Sequence, residues 1–179
     1  MLKYCTILIM GLLALSCIES DDALTYGRPD GAVTGMVPIY ESPETAHNLS
    51  ITDPMAIVNP GKIFNYNDFL IVTIINEGFH VIDNEDPALP RQLFFVNIPG
   101  NTDVAVKDNV FFVNNYNDLV SFTFDENRNI QIVERMSDAM QNSTVGLDPG
   151  TYFECVDLSK GIVVGWESAT INNPRCLKQ

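Results

Sequence analysis

From Gly61 onward, apolar residues come in short runs separated by Asn, Asp, Gly and Pro. The runs are KIFNY, FLIVTII, GFHVID and QLFFVNI, then TDVAV, NVFFVNN, DLVSFTFD and NIQIVER, and finally TYFECV and GIVVGWE. β-Branched and aromatic residues dominate them and the spacers are turn formers, so each run is predicted to be a strand. No stretch keeps the 3.6-residue period of an amphipathic helix for more than about two turns. The fold class expected is all-β.

The runs also repeat. NDFLIV at 67–72 aligns with KDNVFFV at 107–113 when Asp68 is set on Asp108, and GFHVID at 78–83 falls on DLVSFTFD at 118–125 with a shift of 40 to 42. Four strands in about 40 residues is the texture of a β-propeller blade. The expected architecture is a partial β-propeller-like array of four-stranded antiparallel blades, about two and a half repeats long. The blades run over 61–98 and 101–136, and a degenerate third unit occupies 150–179, with SKGIVVGWE in place of KDNVFFVNN. A ring normally takes about 4 to 8 blades, so an open sheet edge is expected, and open edges favour self-association. A truncated relative, closure by a second copy and an open sheet capped by a disulfide all fit that pattern.

Upstream the texture changes. Residues 18–60 mix Gly, Pro, Ser and acids with little periodicity. They are predicted to be a flexible tether up to about Met36, then an ordered lead-in with one helical turn at Pro43 to His47. Before them, Lys3 and the apolar run Thr6 to Leu15 read as a secretory signal peptide over 1–16. The run is too short to cross a bilayer, which needs roughly 20 apolar residues.

Ala14, Leu15 and Ser16, leading into Cys17, resemble the lipobox of bacterial lipoproteins, in the looser form of Bacteroides-type bacteria. The strict pattern prefers Leu where Ala14 stands. The resemblance implies lipid attachment at Cys17, which would become the first residue of a lipidated tether and lead-in over 17–60, ahead of the repeat domain 61–179. Several acyl chains make a stable membrane anchor, at about 0.8 kcal/mol per buried methylene. The acidic run Glu19 to Asp22 resembles the export signal that sends such lipoproteins to the cell surface. The expected address is the cell envelope, as an outer-membrane lipoprotein exposed at the surface. A plain signal peptide with a chance cysteine is the alternative.

Charge narrows the partners. The chain has 10 Lys and Arg against 23 Asp and Glu, a formal net charge of −13. Such a balance argues against nucleic acid and against anionic headgroups, which leaves the acyl chains on Cys17 as the membrane link. Of the four cysteines, Cys5 would leave with the signal and Cys17 would take the lipid. Cys155 and Cys176 remain, either as a disulfide or as two free thiols, and no Cys or His stands near them to complete a zinc site.

The segments NPGKIF, GFHVIDNEDPALPRQLFFVNIPGNTDVAVKDNVFFVNNYNDLVSF and YFECVDLSKGIVVGWE resemble the LVIVD-repeat lipoproteins of Bacteroides-type bacteria. The name describes a strand like His80 to Asp83, and the resemblance spans roughly residues 50 to 179. It implies a propeller-like fold and no particular activity.

Candidate chemistry is sparse. The sequence has no HExxH, GxSxG, P-loop or GxGxxG pattern, so no catalytic residue, metal ligand or cofactor is predicted. His80 is expected to be a hydrogen-bonded structural histidine, and His47 has no obvious partner. DENRN at 125–129 starts like an EF-hand loop, but Ile130 stands where Gly is required and Met136 where a bidentate Glu is required. Asp and Asn in DNEDP at 83–87 are ordinary turn formers.

Most of the aromatics Tyr66, Phe111, Phe112, Tyr116 and Phe122 are expected in the inter-sheet core. The loops FNYND and NNYND are taken as equivalent blade positions, giving a candidate ligand rim of Tyr66, Asn67, Asn115, Tyr116 and Asn117. Turn geometry alone would also explain them. The function expected is an interaction module for an unknown protein or glycan partner, and the alternative is an extracellular glycan-active hydrolase or lyase. An enzyme would gather carboxylates or a metal at its centre; a binding module would gather aromatics and amides.

Overall fold

A computed structural model describes residues 29–140 and 146–179. The signal peptide, Cys17 and the acidic run after it lie outside the described residues. The chain enters through strand β1 (Ala32–Glu41), one helical turn α1 (Pro43–Ala46) and strand β2 (Ser50–Thr52). Four strands follow: β3 (Pro60–Tyr66), β4 (Phe69–Ile74), β5 (Gly78–Asp83) and β6 (Arg91–Asn97). Four more succeed them: β7 (Val104–Lys107), β8 (Val110–Asn115), β9 (Asp118–Phe124) and β10 (Ile130–Met136). The last part holds β11 (Tyr152–Phe153), a 3₁₀ turn at Leu158–Lys160, β12 (Ile162–Asn172) and β13 (Cys176–Leu177).

The chain is all-β, and its sheets form a partial, propeller-like array. The first sheet has the order β2-β6-β5-β4-β3 and the second β10-β9-β8-β7, each built from antiparallel neighbours. Tight turns join the strands within each, and several of them place Asn or Asp, which tolerate positive φ best, in that conformation: Asn67 at 52°, Asn76 at 69°, Asp108 at 51° and Asn109 at 64°.

Alternation decides what the first two sheets bury. Phe79 and Val81 project from β5, Phe111 and Val113 from β8, and Val120 and Phe122 from β9, all into one shared core. The rings of Phe79 and Phe111 stack with centroids 5.6 Å apart, Phe111 and Phe122 at 5.4 Å, and Phe124 meets Phe111 edge-on at 5.0 Å. Each such ring buried stabilises the fold by roughly 2 to 3 kcal/mol.

The third sheet departs from expectation in two ways. Residues 32–36, expected at the end of a flexible tether, are ordered, and one strand runs on from them into the lead-in: β1 pairs antiparallel with β12 from Ala32↔Asn172 to Glu41↔Ile162. The C-terminal residues are not a third blade of their own either, because the sheet order is β12-β1-β11-β13, with the N-terminal strand at its centre. Gly35 and Pro38 hide this strand in the sequence, since both depress strand propensity. Both have a place in the sheet. A Cβ on Gly35 would stand 2.8 Å from the Tyr152 carbonyl oxygen. Glu154 N–H donates to the Met36 carbonyl at 2.9 Å as β11 runs parallel to β1, and the next rung of that ladder would need the N–H that Pro38 lacks. The parallel pairing therefore ends at Phe153.

α1 forms at the expected place. Ser42 caps it by accepting the Thr45 N–H, and Pro43 sits at its first position, where no N–H is needed. No helix among the described residues is long and apolar enough to cross a membrane.

Cys155, just after β11, is bonded to Cys176 in β13, with their Cα atoms 5.3 Å apart. Strand β13 pairs through two residues only, so the bridge is its main restraint. Non-reducing mass mapping should recover the Cys155–Cys176 peptide pair. Reduction should lower the free energy of unfolding in urea by about 3 kcal/mol, the value for closing a loop of this order.

Candidate functional site: a cleft between the second and third sheets

The β8–β9 hairpin turns at Tyr116–Asn117 and anchors the lead-in on one side. Asn115, fully buried, donates from Nδ2 to the carbonyls of Ala46 (2.9 Å) and Pro99 (2.7 Å) and accepts from Arg135 Nη1 (2.8 Å). The same Arg135 nitrogen donates to Asp118 Oδ2 at 2.8 Å, and Nη2 reaches the His47 carbonyl at 3.4 Å. Asp118 Oδ1 accepts the Asp138 N–H at 3.1 Å, and His47 Nε2 lies 3.2 Å from Oδ2. Burial and the Arg135 cation push the His47 imidazole below its ordinary pKa, with the Asp118 carboxylate opposing them. These bonds pin α1 to the second sheet and fix the hairpin.

On the other side of the hairpin a cleft of about 680 Å³ opens between the second sheet and strands β1 and β12. Its volume lies inside the roughly 300–1,000 Å³ range of small-ligand sites. Phe112 lines it because alternation turns this side chain away from the core that Phe111 and Val113 fill, leaving it 39% exposed. Trp166 lines the opposite wall and is held edge-on against Phe153 at 5.3 Å. Tyr116 sits at the turn with φ of 52°, an uncommon conformation for a bulky residue. Its ring lies over Gly100, where a Cβ would come within 2.7 Å of Cε1. Burial raises the pKa of the phenol, and the Glu41 charge adds to the effect.

The polar lining divides into spent and free groups. Asn114 is spent: Oδ1 accepts from the N–H groups of Thr102 (2.9 Å) and Asp103 (3.2 Å), and Nδ2 donates to the Gly100 carbonyl (2.9 Å). Asp103, the one charged residue lining the cleft among the described residues, accepts from Lys62 Nζ at 3.0 Å and from the Val104 N–H at 2.8 Å. The side-chain amides of Asn76 and Asn117, the Tyr116 hydroxyl and the Trp166 indole N–H have no hydrogen-bond partner among the described residues. Three aromatic rings and four uncommitted, uncharged polar groups therefore share one cavity.

The five-residue rim is split by this topology. Tyr66 and Asn67 stand at the β3–β4 turn, where the Tyr66 hydroxyl accepts the Asn109 N–H at 2.8 Å. Asn109 precedes β8, and Asn115 and Tyr116 end it, so the two loops lie at opposite ends of one strand. FNYND is the first hairpin of its sheet and NNYND the second, and successive hairpins in an antiparallel sheet point opposite ways. Asn115 is buried structure. Tyr116 and Asn117 reach the cleft. Phe112, expected in the core, is a cleft residue, and Asn76 and Trp166 join it unannounced. The 40-residue shift held a signal for one of them, since it sets Asn76 on Tyr116.

Two further expectations meet the structure here. The Asp125 carboxylate is consumed within its own loop, accepting from the N–H groups of Asn127 (2.9 Å) and Asn129 (2.8 Å) and from the Asn129 amide (2.9 Å). His80 is fully buried but not hydrogen-bonded: neither ring nitrogen has a partner among the described residues, and the ring packs on Phe95 at a centroid distance of 4.8 Å. Burial depresses its pKa, with the Glu77 charge opposing.

Fold and cleft together define a partial propeller-like all-β protein with an aromatic, amide-lined cavity between two of its sheets. No protein-family model, curated protein or solved structure matches the chain.

Removing Arg135 would leave Asp118 and Asn115 buried without their counterpart. Arg135→Ala should cost about 3 kcal/mol in chemical unfolding, with faster amide exchange at His47 and Asn48. His80 makes stability pH-dependent with a definite sign. Its folded pKa lies below the unfolded value of about 6.5, so the unfolded chain takes up the proton first as pH falls. The contribution is complete above about pH 6.5 and is lost progressively below it. The melting temperature should fall between pH 7 and pH 5, and His80→Leu should flatten that slope.

Proposed function

We propose that this chain is a lipid-anchored envelope lipoprotein, displayed at the cell surface, that serves as a binding module for a protein or glycan ligand. The apolar leader and the lipobox-like approach to Cys17 support the address, and the likeness to LVIVD-repeat lipoproteins agrees with it. The observation that carries the binding role is the lining of the cleft, where Phe112, Tyr116 and Trp166 stand beside the uncommitted amides of Asn76 and Asn117. Rings supply contact area and the amides supply direction, the usual division of labour in a recognition site. The edge of β12, unpaired among the described residues, offers a separate route to self-association by strand pairing.

Two measurements on the displayed protein test the pair of claims. Palmitate supplied to cells should label the wild type and leave Cys17→Ala unlabelled; equal labelling of both would remove the anchor. Purified surface polymers of the host envelope should be retained by the protein with their chain length unchanged. Shortening of a glycan would instead assign a hydrolase or lyase.

A further inference from the structure

Resting on that binding role, we propose that the cleft between the second and third sheets takes a neutral oligosaccharide. Four features of the lining converge on this ligand class. Phe112, Tyr116 and Trp166 present rings to one cavity, and the apolar C–H face of a pyranose packs on such surfaces. The amides of Asn76 and Asn117 each offer both a donor and an acceptor, the combination that a sugar hydroxyl matches in either sense. The Tyr116 hydroxyl and the Trp166 N–H add two more sites with no internal partner among the described residues.

The charge of the lining excludes acidic glycans. Asp103 is its single charged member among the described residues and already holds Lys62 at 3.0 Å, so no cation is left over for a carboxylate or sulfate. The net charge of −13 repels such polymers before contact. The cavity, at about 680 Å³, is open and has room for several linked rings. An extended peptide would instead use the backbone edge of β12 and leave the amides of Asn76 and Asn117, across the cleft, without partners.

The chain contains one tryptophan, Trp166, so its fluorescence reports on the cleft directly. The mature protein is titrated with cellohexaose, maltohexaose and laminarihexaose, and in parallel with the neutral peptide acetyl-Ser-Thr-Val-Thr-Ser-amide. A saturable change in emission is expected with at least one saccharide. Phe112→Ala and Asn117→Ala should each weaken it by about tenfold, while Tyr66→Phe, at the other end of β8 from the cleft turn, should leave it unchanged. Circular dichroism confirms folding, and Asn117→Ala, at a turn on the surface, keeps the test open should Phe112→Ala misfold. No saturable change with any saccharide at millimolar concentration, or undiminished binding in the folded variants, overturns the proposal. A response to the peptide alone overturns the saccharide assignment and leaves the binding role standing.

Discussion

Pairing between β1 and β12 is the constraint on which the third sheet depends. β11 and β13 contribute two residues each and cannot make a sheet by themselves, whereas β1 gives β12 a partner along nearly its whole length. The N-terminal strand lies at the sheet centre, so entry and exit of the described chain are held in one layer. Pro38 then limits how far β11 can follow β1, and the disulfide takes over where the ladder stops. Without that layer the second sheet would expose Phe112 to water and there would be no cleft.

The two inter-sheet spaces differ for a physical reason. Between the first and second sheets, alternation supplies bulky apolar side chains from both sides, and their rings stack on one another. Between the second and third, the facing side chains are mixed. Asn114 and Asp103 are consumed in shaping the floor, and the backbone of β12 at Gly165 adds no side chain. The gap stays open because its walls lack the volume to fill it. The knot around Asp118 and Arg135 keeps it from closing, since it fixes the β8–β9 hairpin against α1 at a set position.

Legibility followed range. The strand runs, their two four-stranded repeats, the helical turn at Pro43 and the Cys155–Cys176 bridge are all short-range signals: alternation, turn chemistry, a cap, an even cysteine count. β1 was not legible, because Gly35 and Pro38 answer to neighbours more than a hundred residues away, Ile171 and Tyr152 for the first and the β11 ladder for the second. The rim failed for a similar reason. FNYND and NNYND look alike, but one hairpin further along an antiparallel sheet lies at the opposite end of its strands.

The sequence by itself determined the all-β class, the repeat and the acidic surface, since each is set by local composition and period. It also made β8 apolar on both faces, with Val110 and Phe112 on one and Phe111 and Val113 on the other, though it did not decide which face would be left uncovered. Only the tertiary structure decided that Phe112, Trp166 and Asn76 meet in one cavity and that Asn115 and His80 are sealed inside. Those outcomes turn on which sheet packs against which face, and residues far apart in the chain settle that question through pairing and volume rather than through any pattern within a single run.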